Sequence, residues 1–212
     1  MFFCVCPFLA ARLFKPYSNL TMRLVFATHN LHKFDEVKKL MPSRISLLSL
    51  ADLGLTEEIP ETGDTLEANA RIKADYVTEH YGLPCFSDDT GLLVDALNGA
   101  PGVYSARYAG EQKNAGQNMD KLLADLKDKK DRSARFVTVI ALNLAASSHI
   151  FEGRVEGEII QERQGEGGFG YDPIFRPDGY ELTFAELPLE VKNRISHRGR
   201  AVRQLIDFLQ RY

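Results

Sequence analysis

The chain has 212 residues, 44% hydrophobic and 26% charged, enough for one large domain or two small lobes with a substantial core. Its net charge of −3 supplies no broad basic face, which argues against a nucleic-acid partner. Cys4, Cys6 and Cys85 make neither a disulfide framework nor zinc-ligand spacing, a usage that fits a reducing compartment and a cytoplasmic location.

The apolar stretch from Met1 to Phe14 is too short to span a bilayer and lacks the basic start of a secretory leader. No other segment resembles a membrane span, so no membrane partner is expected. Met22-Arg23 opens a good strand, which sets residues 1–21 apart as an N-terminal extension and places the folded domain at 22–212.

Leu24 to Ala27 reads as the first strand. A helix follows from about Leu31, with Phe34, Val37, Leu40 and Met41 at helical spacing, and Ile45 to Leu50 reads as a second strand. Asp64-Thr65-Leu66-Glu67 has the form of a capping box and opens a helix to about Tyr81. That helix carries the stripe Leu66, Ala70, Ala74, Val77 and Tyr81. Lys73 lies about 20° from Leu66 on the helical wheel and Asn69 about 60° to the same side. A lysine at the edge of a buried stripe either snorkels outward or meets an anion.

Leu83 to Phe86 reads as a short strand that ends at Ser87-Asp88-Asp89-Thr90-Gly91, with Gly91 as a turn. Leu92 to Leu97 is apolar, Asn98 to Gly102 is a loop, and a helix carries Met119, Leu122, Leu123 and Leu126. Ala134 to Ala145 and His149 to Gln161 read as a long hairpin turned at Ala146-Ser147-Ser148. A glycine-rich loop over 165–170 leads into Asp172-Pro173-Ile174-Phe175. A last helix holds Ala201, Val202, Leu205, Ile206 and Leu209. The expected fold is α/β: an elongated mixed sheet flanked by helices, with two lobes and a central cleft.

The chemistry centres on Asp88 and Asp89. Two acids closing a buried strand carry a cost of several kcal/mol unless a metal or a cationic neighbour offsets it. Taken alone, such a pair is more often the signature of a solvated turn. Gly165 to Gly170 matches the literal pattern G-x-G-x-x-G, but Asp172-Pro173 forbids the helix that a dinucleotide site requires. No phosphate-loop lysine motif and no nucleophile elbow are present.

Thr28-His29-Asn30-Leu31-His32-Lys33 lies between the first strand and first helix, where free backbone N–H groups, polar side chains and a lysine suit an anion. Glu61 stands just before the second helix, within an acidic run that also includes Glu57, Glu58, Asp64 and Glu67. Ser196-His197-Arg198 opens the last helix, amid Lys192, Arg194, Arg200 and Arg203. Either run, taken singly, is an ordinary solvated face. Together the hard oxygen donors, lysines, helix-start amides and aromatic glycine loop form the inventory for handling Mg²⁺ and a triphosphate.

Six blocks in order carry a family resemblance: Ala27 to Lys33, Glu61 to Ala70, Ser87 to Leu92, Gly99 to Tyr108, Gly168 to Pro173, and Ser196 to Gly199. From Arg23 onward the chain resembles the inosine triphosphate pyrophosphatase (Ham1/RdgB-type) family. His29 stands where many relatives have glycine, and Thr90 where many have serine. The resemblance implies Mg²⁺-dependent hydrolysis of non-standard purine nucleoside triphosphates (ITP, dITP, XTP) to the monophosphate and pyrophosphate, and a homodimer. Thr28, His29, Asn30, Leu31, His32, Lys33 and Lys73 would then contact the triphosphate. Glu61 and Asp89 would hold Mg²⁺, with Asp89 also the proton acceptor. Thr90, Phe169, Gly170, Tyr171, Asp172, Lys192, His197 and Arg198 would hold the nucleotide.

A carboxylate bound tightly to Mg²⁺ is a poor base, so Asp88 competes with Asp89 for one of the two roles. Donors from His197 and Arg198 would read the 6-carbonyl of hypoxanthine or xanthine. Phe169 or Tyr171 either stacks on the base or belongs to the core. A pyrophosphatase of modified pyrimidine nucleotides and a non-catalytic nucleotide sensor are the alternatives; the intact set Lys33, Glu61, Lys73, Asp88 and Asp89 argues against the sensor.

Overall fold

The structure, a computed structural model, describes residues 21–212. The extension read at 1–21 therefore lies, apart from Thr21, outside the described residues.

The N-terminal part is parallel. Strand β1 (Met22–Phe26) runs parallel to β2 (Ile45–Leu48) and to β3 (Cys85–Val94), with helices α1 (Leu31–Leu40) and α2 (Leu66–Tyr81) in the two crossovers. Beyond β3 the sheet is antiparallel. The short β4 (Pro101–Gly102) and the long β5 (Ser133–Leu144) both pair with β3, β6 (Ser147–Ile159) pairs with β5, and β7 (Phe175–Pro177) closes the order β2-β1-β3-β5-β6-β7. Helices α3 (Ala115–Asp125), α4 (Leu189–Ile195) and α5 (His197–Arg211) complete the fold. Among the described residues no helix is long and apolar enough to cross a membrane.

Local chemistry sets the helix starts. Asn30 Oδ1 accepts from the Lys33 N–H at α1, Thr65 Oγ1 from the Ala68 N–H at α2, and Ser196 Oγ from the Gly199 N–H at α5. The cap of α2 is Thr65 rather than Asp64, one residue later than the capping-box reading. Gly82, at φ 64°, ends α2 in the left-handed conformation.

Three readings change in the sheet. Strand β3 does not end at the acids; it continues to Val94, with Asp88 opposite Ile140 and Asp89 opposite Val139. Gly91 is a strand residue, not a turn. A Cβ there would lie 2.8 Å from the Gly102 carbonyl oxygen, so glycine lets β4 approach β3 closely. The hairpin turns at Ala145-Ala146, both at positive φ, one residue earlier than read.

The two largest apolar cores sit at the two ends of the long strands. One packs Leu24, Phe26, Val37, Phe86, Ile140 and Leu205 between the sheet, α1 and α5. The other packs Leu92, Leu122, Phe136, Val155, Phe175 and Phe184 around α3 and β7. Strands β3 and β5 belong to both. Between the two cores they carry Ser87 to Thr90 and Thr138, polar residues that are all largely buried. That polar belt is the level of the cleft between the lobes.

Candidate functional site

A cleft of about 660 Å³ opens at the polar belt, a size suited to a small-molecule ligand. Strand alternation divides the belt into two faces. Ser87 and Asp89 point toward α2, where Ser87 donates to the Ala70 carbonyl and Asp89 Oδ2 accepts from Asn69 Nδ2 at 3.2 Å. Asp88 points the other way, toward α1 and α5.

The Asp88 face is a closed ionic network. Asp88 Oδ1 meets Lys33 Nζ at 3.1 Å and its Oδ2 meets Arg198 Nε at 3.1 Å. Arg198 also donates to Glu36 (2.7 Å) and Thr90 Oγ1 (3.3 Å). Lys192 Nζ bridges Glu36 at 2.8 Å and Asp172 at 2.7 Å, and the Phe169 N–H donates to Asp172 at 2.7 Å. Three cations (Lys33, Lys192, Arg198) thus match three carboxylates (Glu36, Asp88, Asp172). Burial would raise Asp88, but Lys33 and Arg198 outweigh it and hold the carboxyl far below its ordinary range. Arg198 and Lys192 likewise overcome burial at Glu36 and keep it ionised.

The Asp89 face is open and carries excess negative charge. Lys73 Nζ lies 2.5 Å from Glu61 Oε1, 2.8 Å from the Asp88 carbonyl oxygen and 4.0 Å from Asp89 Oδ1. One ammonium thus faces two carboxylates, Glu61 and Asp89. Burial works against the Lys73 ammonium, but Asp89 and Glu61 more than offset it and raise its pKa. Burial raises the Asp89 carboxyl, whereas at Glu61 it is outweighed by Lys73, which lowers that group.

Farther along the cleft, the Phe169 ring lies over Lys192 Nζ (5.0 Å) and Arg198 (5.4 Å) and stacks with His32 at 5.5 Å. Tyr171 is anchored instead, its hydroxyl donating to the Ser105 carbonyl at 2.8 Å from a buried position. His197 is buried against Phe136, ring centroids 4.6 Å apart, and its Nδ1 has no hydrogen-bond partner. Burial, then Arg198 and Lys192, keep this imidazole neutral, its pKa well below 6.5.

The structure brings every sequence-predicted site residue to the cleft wall except two. The Leu31 side chain is 74% exposed and points to solvent, so only its backbone at the start of α1 is near the site. Asp88 is locked behind the wall by Lys33 and Arg198.

A family model described as the Ham1 family matches residues 24–208. The chain is 60% identical over 188 residues to the dITP/XTP pyrophosphatase of Flavobacterium johnsoniae, covering 89% of this chain and 98% of the relative. It is 46% identical over 190 residues to the dITP/XTP pyrophosphatase of Bacillus subtilis, covering 88% and 96%. A solved HAM1 protein of Coxiella burnetii superposes with TM-score 0.83 at 41% identity, covering 90% of this chain and all of that one. The chain belongs to the Ham1 family.

Two residues of this Ham1 chain are missing from the sequence reading of the site. Glu36, buried on α1, joins Lys192 to Arg198. Its signal was present: it lies four residues before Leu40, about 40° off the apolar stripe, the same edge position that singled out Lys73. Asn69 was placed on the Lys73 side of α2, but nothing local marks it as the partner of Asp89.

Proposed function

We propose that the chain is a nucleoside triphosphate pyrophosphatase that hydrolyses dITP, ITP and XTP to the monophosphate and pyrophosphate. The names of its relatives support the reaction class, and one observation carries the residue roles: adjacent acids on β3 face opposite ways. Asp88 is spent on Lys33 and Arg198, whereas Asp89 faces the cleft with Glu61 and Lys73.

The Asp89 face suits Mg²⁺. Its two carboxylates outnumber its one ammonium. Mg²⁺ takes one or two protein carboxylates and completes its shell with water and substrate phosphates. Bound by Glu61 and Asp89, it would neutralise phosphate charge and lower the pKa of a water.

The roles of the two ligands then divide. Glu61, held ionised by Lys73, is the weaker base of the two, whereas burial raises the Asp89 carboxyl. Asp89 accepts the proton of the water that attacks the α-phosphorus. Lys33, Lys73 and the N–H groups at the start of α1 stabilise charge on the departing pyrophosphate. Thr28 supports that loop by accepting from the Asn30 N–H at 3.2 Å.

At the other end, Phe169 stacks on the base, and His197 and Arg198 read its 6-carbonyl. Three of the five Arg198 N–H groups are engaged, which leaves two for a ligand. Adenine presents a donor there, and each buried donor left unpaired costs about 1–3 kcal/mol. The reading extends to a cytoplasmic homodimer that clears deaminated purines from the nucleotide pool.

The test is product analysis with dITP, XTP, ITP, GTP, ATP and a modified pyrimidine triphosphate across a Mg²⁺ titration. Pyrophosphate and monophosphate in equal amounts from the first three are expected. Stepwise release of orthophosphate, or a preference for the pyrimidine, would reject the assignment.

A further inference from the structure

We propose that Asn69 is a positioning residue that ties the loop carrying Glu61 to the carboxylate of Asp89 and so sets the spacing of the two groups for a divalent cation. The inference rests on the reading of Glu61 and Asp89 as metal ligands.

Asn69 is 1% exposed on the first turns of α2, so its amide must be satisfied within the protein. Its Oδ1 accepts from the Gly63 N–H at 2.8 Å and its Nδ2 donates to Asp89 Oδ2 at 3.2 Å. The orientation follows from the partners. A backbone N–H can only donate, so it faces the amide oxygen, and the NH₂ is left to the carboxylate.

The loop touches the helix at that point. A Cβ on Gly63 would lie 2.9 Å from Asn69 Oδ1 and 2.6 Å from Ala68 Cβ. Gly63 is two residues after Glu61, whose carboxylate meets Lys73 one turn farther along the same face of α2. One helix face therefore holds both candidate ligands: Asn69 grips the loop backbone and Asp89, and Lys73 grips the Glu61 side chain. Aspartate at 69 could not donate to Asp89, and an apolar residue would leave the Gly63 N–H and Asp89 Oδ2 without partners.

Residues that orient metal ligands in this way typically contribute 10- to 100-fold to metal affinity. The experiment measures Mn²⁺ binding to substrate-free enzyme by electron paramagnetic resonance, together with melting temperature and the Mg²⁺ concentration for half-maximal rate. The variants are Asn69→Leu, Asn69→Ala, Glu61→Gln and Thr65→Ala. Thr65→Ala removes the cap of the same helix but leaves the Asn69 amide in place, so it reports a purely structural loss.

Asn69→Leu is expected to weaken Mn²⁺ binding by at least about 10-fold and to raise the Mg²⁺ requirement in parallel. Thr65→Ala should lower the melting temperature with Mn²⁺ affinity unchanged. If Asn69→Leu does not fold, Asn69→Ala carries the same expectation. Wild-type Mn²⁺ affinity in a folded Asn69 variant, with Glu61→Gln weakened, would overturn the positioning role alone. Unchanged affinity in Glu61→Gln would instead remove the metal reading on which the role rests.

Discussion

Asp88 and Asp89 share one chemistry and lie one residue apart on β3, yet they live in opposite electrostatic worlds. Asp88 is 1% exposed, carries two cationic partners and belongs to a network whose charges balance. Asp89 is 8% exposed, opens on the cleft and shares with Glu61 one ammonium, which lies 4.0 Å from it. The strand's alternation sends one carboxylate to α1 and α5 and the other to α2. The first face has its charge already matched and ties α1, α4 and α5 to β3. The second keeps unmatched negative charge where a cation and a phosphate can come. A buried ion pair is weak evidence for net stability, but removing one partner from such a network is costly.

The largest expected effect is on the open face. Asp89→Asn should lower turnover on the order of 10³-fold, the usual worth of a positioned general base. Its melting temperature should stay near that of the wild type, because the variant buries no unpaired charge. A folded Asp89→Asn enzyme with undiminished turnover would remove the division of roles between the two acids.

The mirror substitution tests the closed face. Asp88→Ala leaves the Lys33 ammonium and one side of the Arg198 guanidinium buried without their anion. Urea unfolding should show a loss of about 3–5 kcal/mol. Restoring balance should recover part of it, so the pair Asp88→Ala with Lys33→Met is expected to be more stable than Asp88→Ala alone. A double variant no better than the single would mean that the network is not a charge-balanced unit.

His197 sharpens the comparison through pH. Its folded pKa is depressed by burial and by Arg198 and Lys192, below the ordinary 6.5 of the unfolded chain. As pH falls through about 6.5 the unfolded chain takes up a proton that the native ring refuses, so stability declines on the acid side at up to about 1.4 kcal/mol per pH unit. Stability is regained as pH rises through the same window. His197→Gln should flatten that slope between about pH 6.5 and 5.5, where Asp88 and Glu36 are ionised in both states. An equal slope in the two proteins would show that the ring is protonated in place.

How far the sequence discloses all this depends on the range of each interaction. The order of the main strands and helices, and the helix starts near Leu31 and Ser196, rest on short-range patterns and were legible, whereas the site blocks were brought together by the family resemblance. The two-faced character of β3 was not legible. Ser-Asp-Asp-Thr-Gly has the local chemistry of a turn, and pairing with Val137 to Ala141 of β5 keeps it extended. Glu36 is clearer still: its partners Lys192 and Arg198 lie 156 and 162 residues away. Lys73, left open between solvent and an anion, meets Glu61. The short β7 and α4 bury too few residues in a regular pattern for periodicity to register.

The smallest effect belongs to Phe169, which covers the closed network where it meets the cleft. Its backbone N–H donates to Asp172 in the closed network, while its ring covers Lys192 and Arg198 at the cleft. Phe169→Leu keeps the backbone contact and much of the apolar bulk but removes the π face, worth about 0.5–1.5 kcal/mol as a stacking partner. A stacked ring contacts the plane of a base and not its edge, and it holds ground state and transition state alike. KM should therefore rise by a few-fold, about equally for dITP, XTP and GTP, with kcat unchanged. A KM change confined to one base would give Phe169 an edge-reading role, and a fall in kcat would place the ring in the alignment of the phosphates. Equal weakening across the three nucleotides leaves base choice to His197 and Arg198, where the closed network meets the cleft.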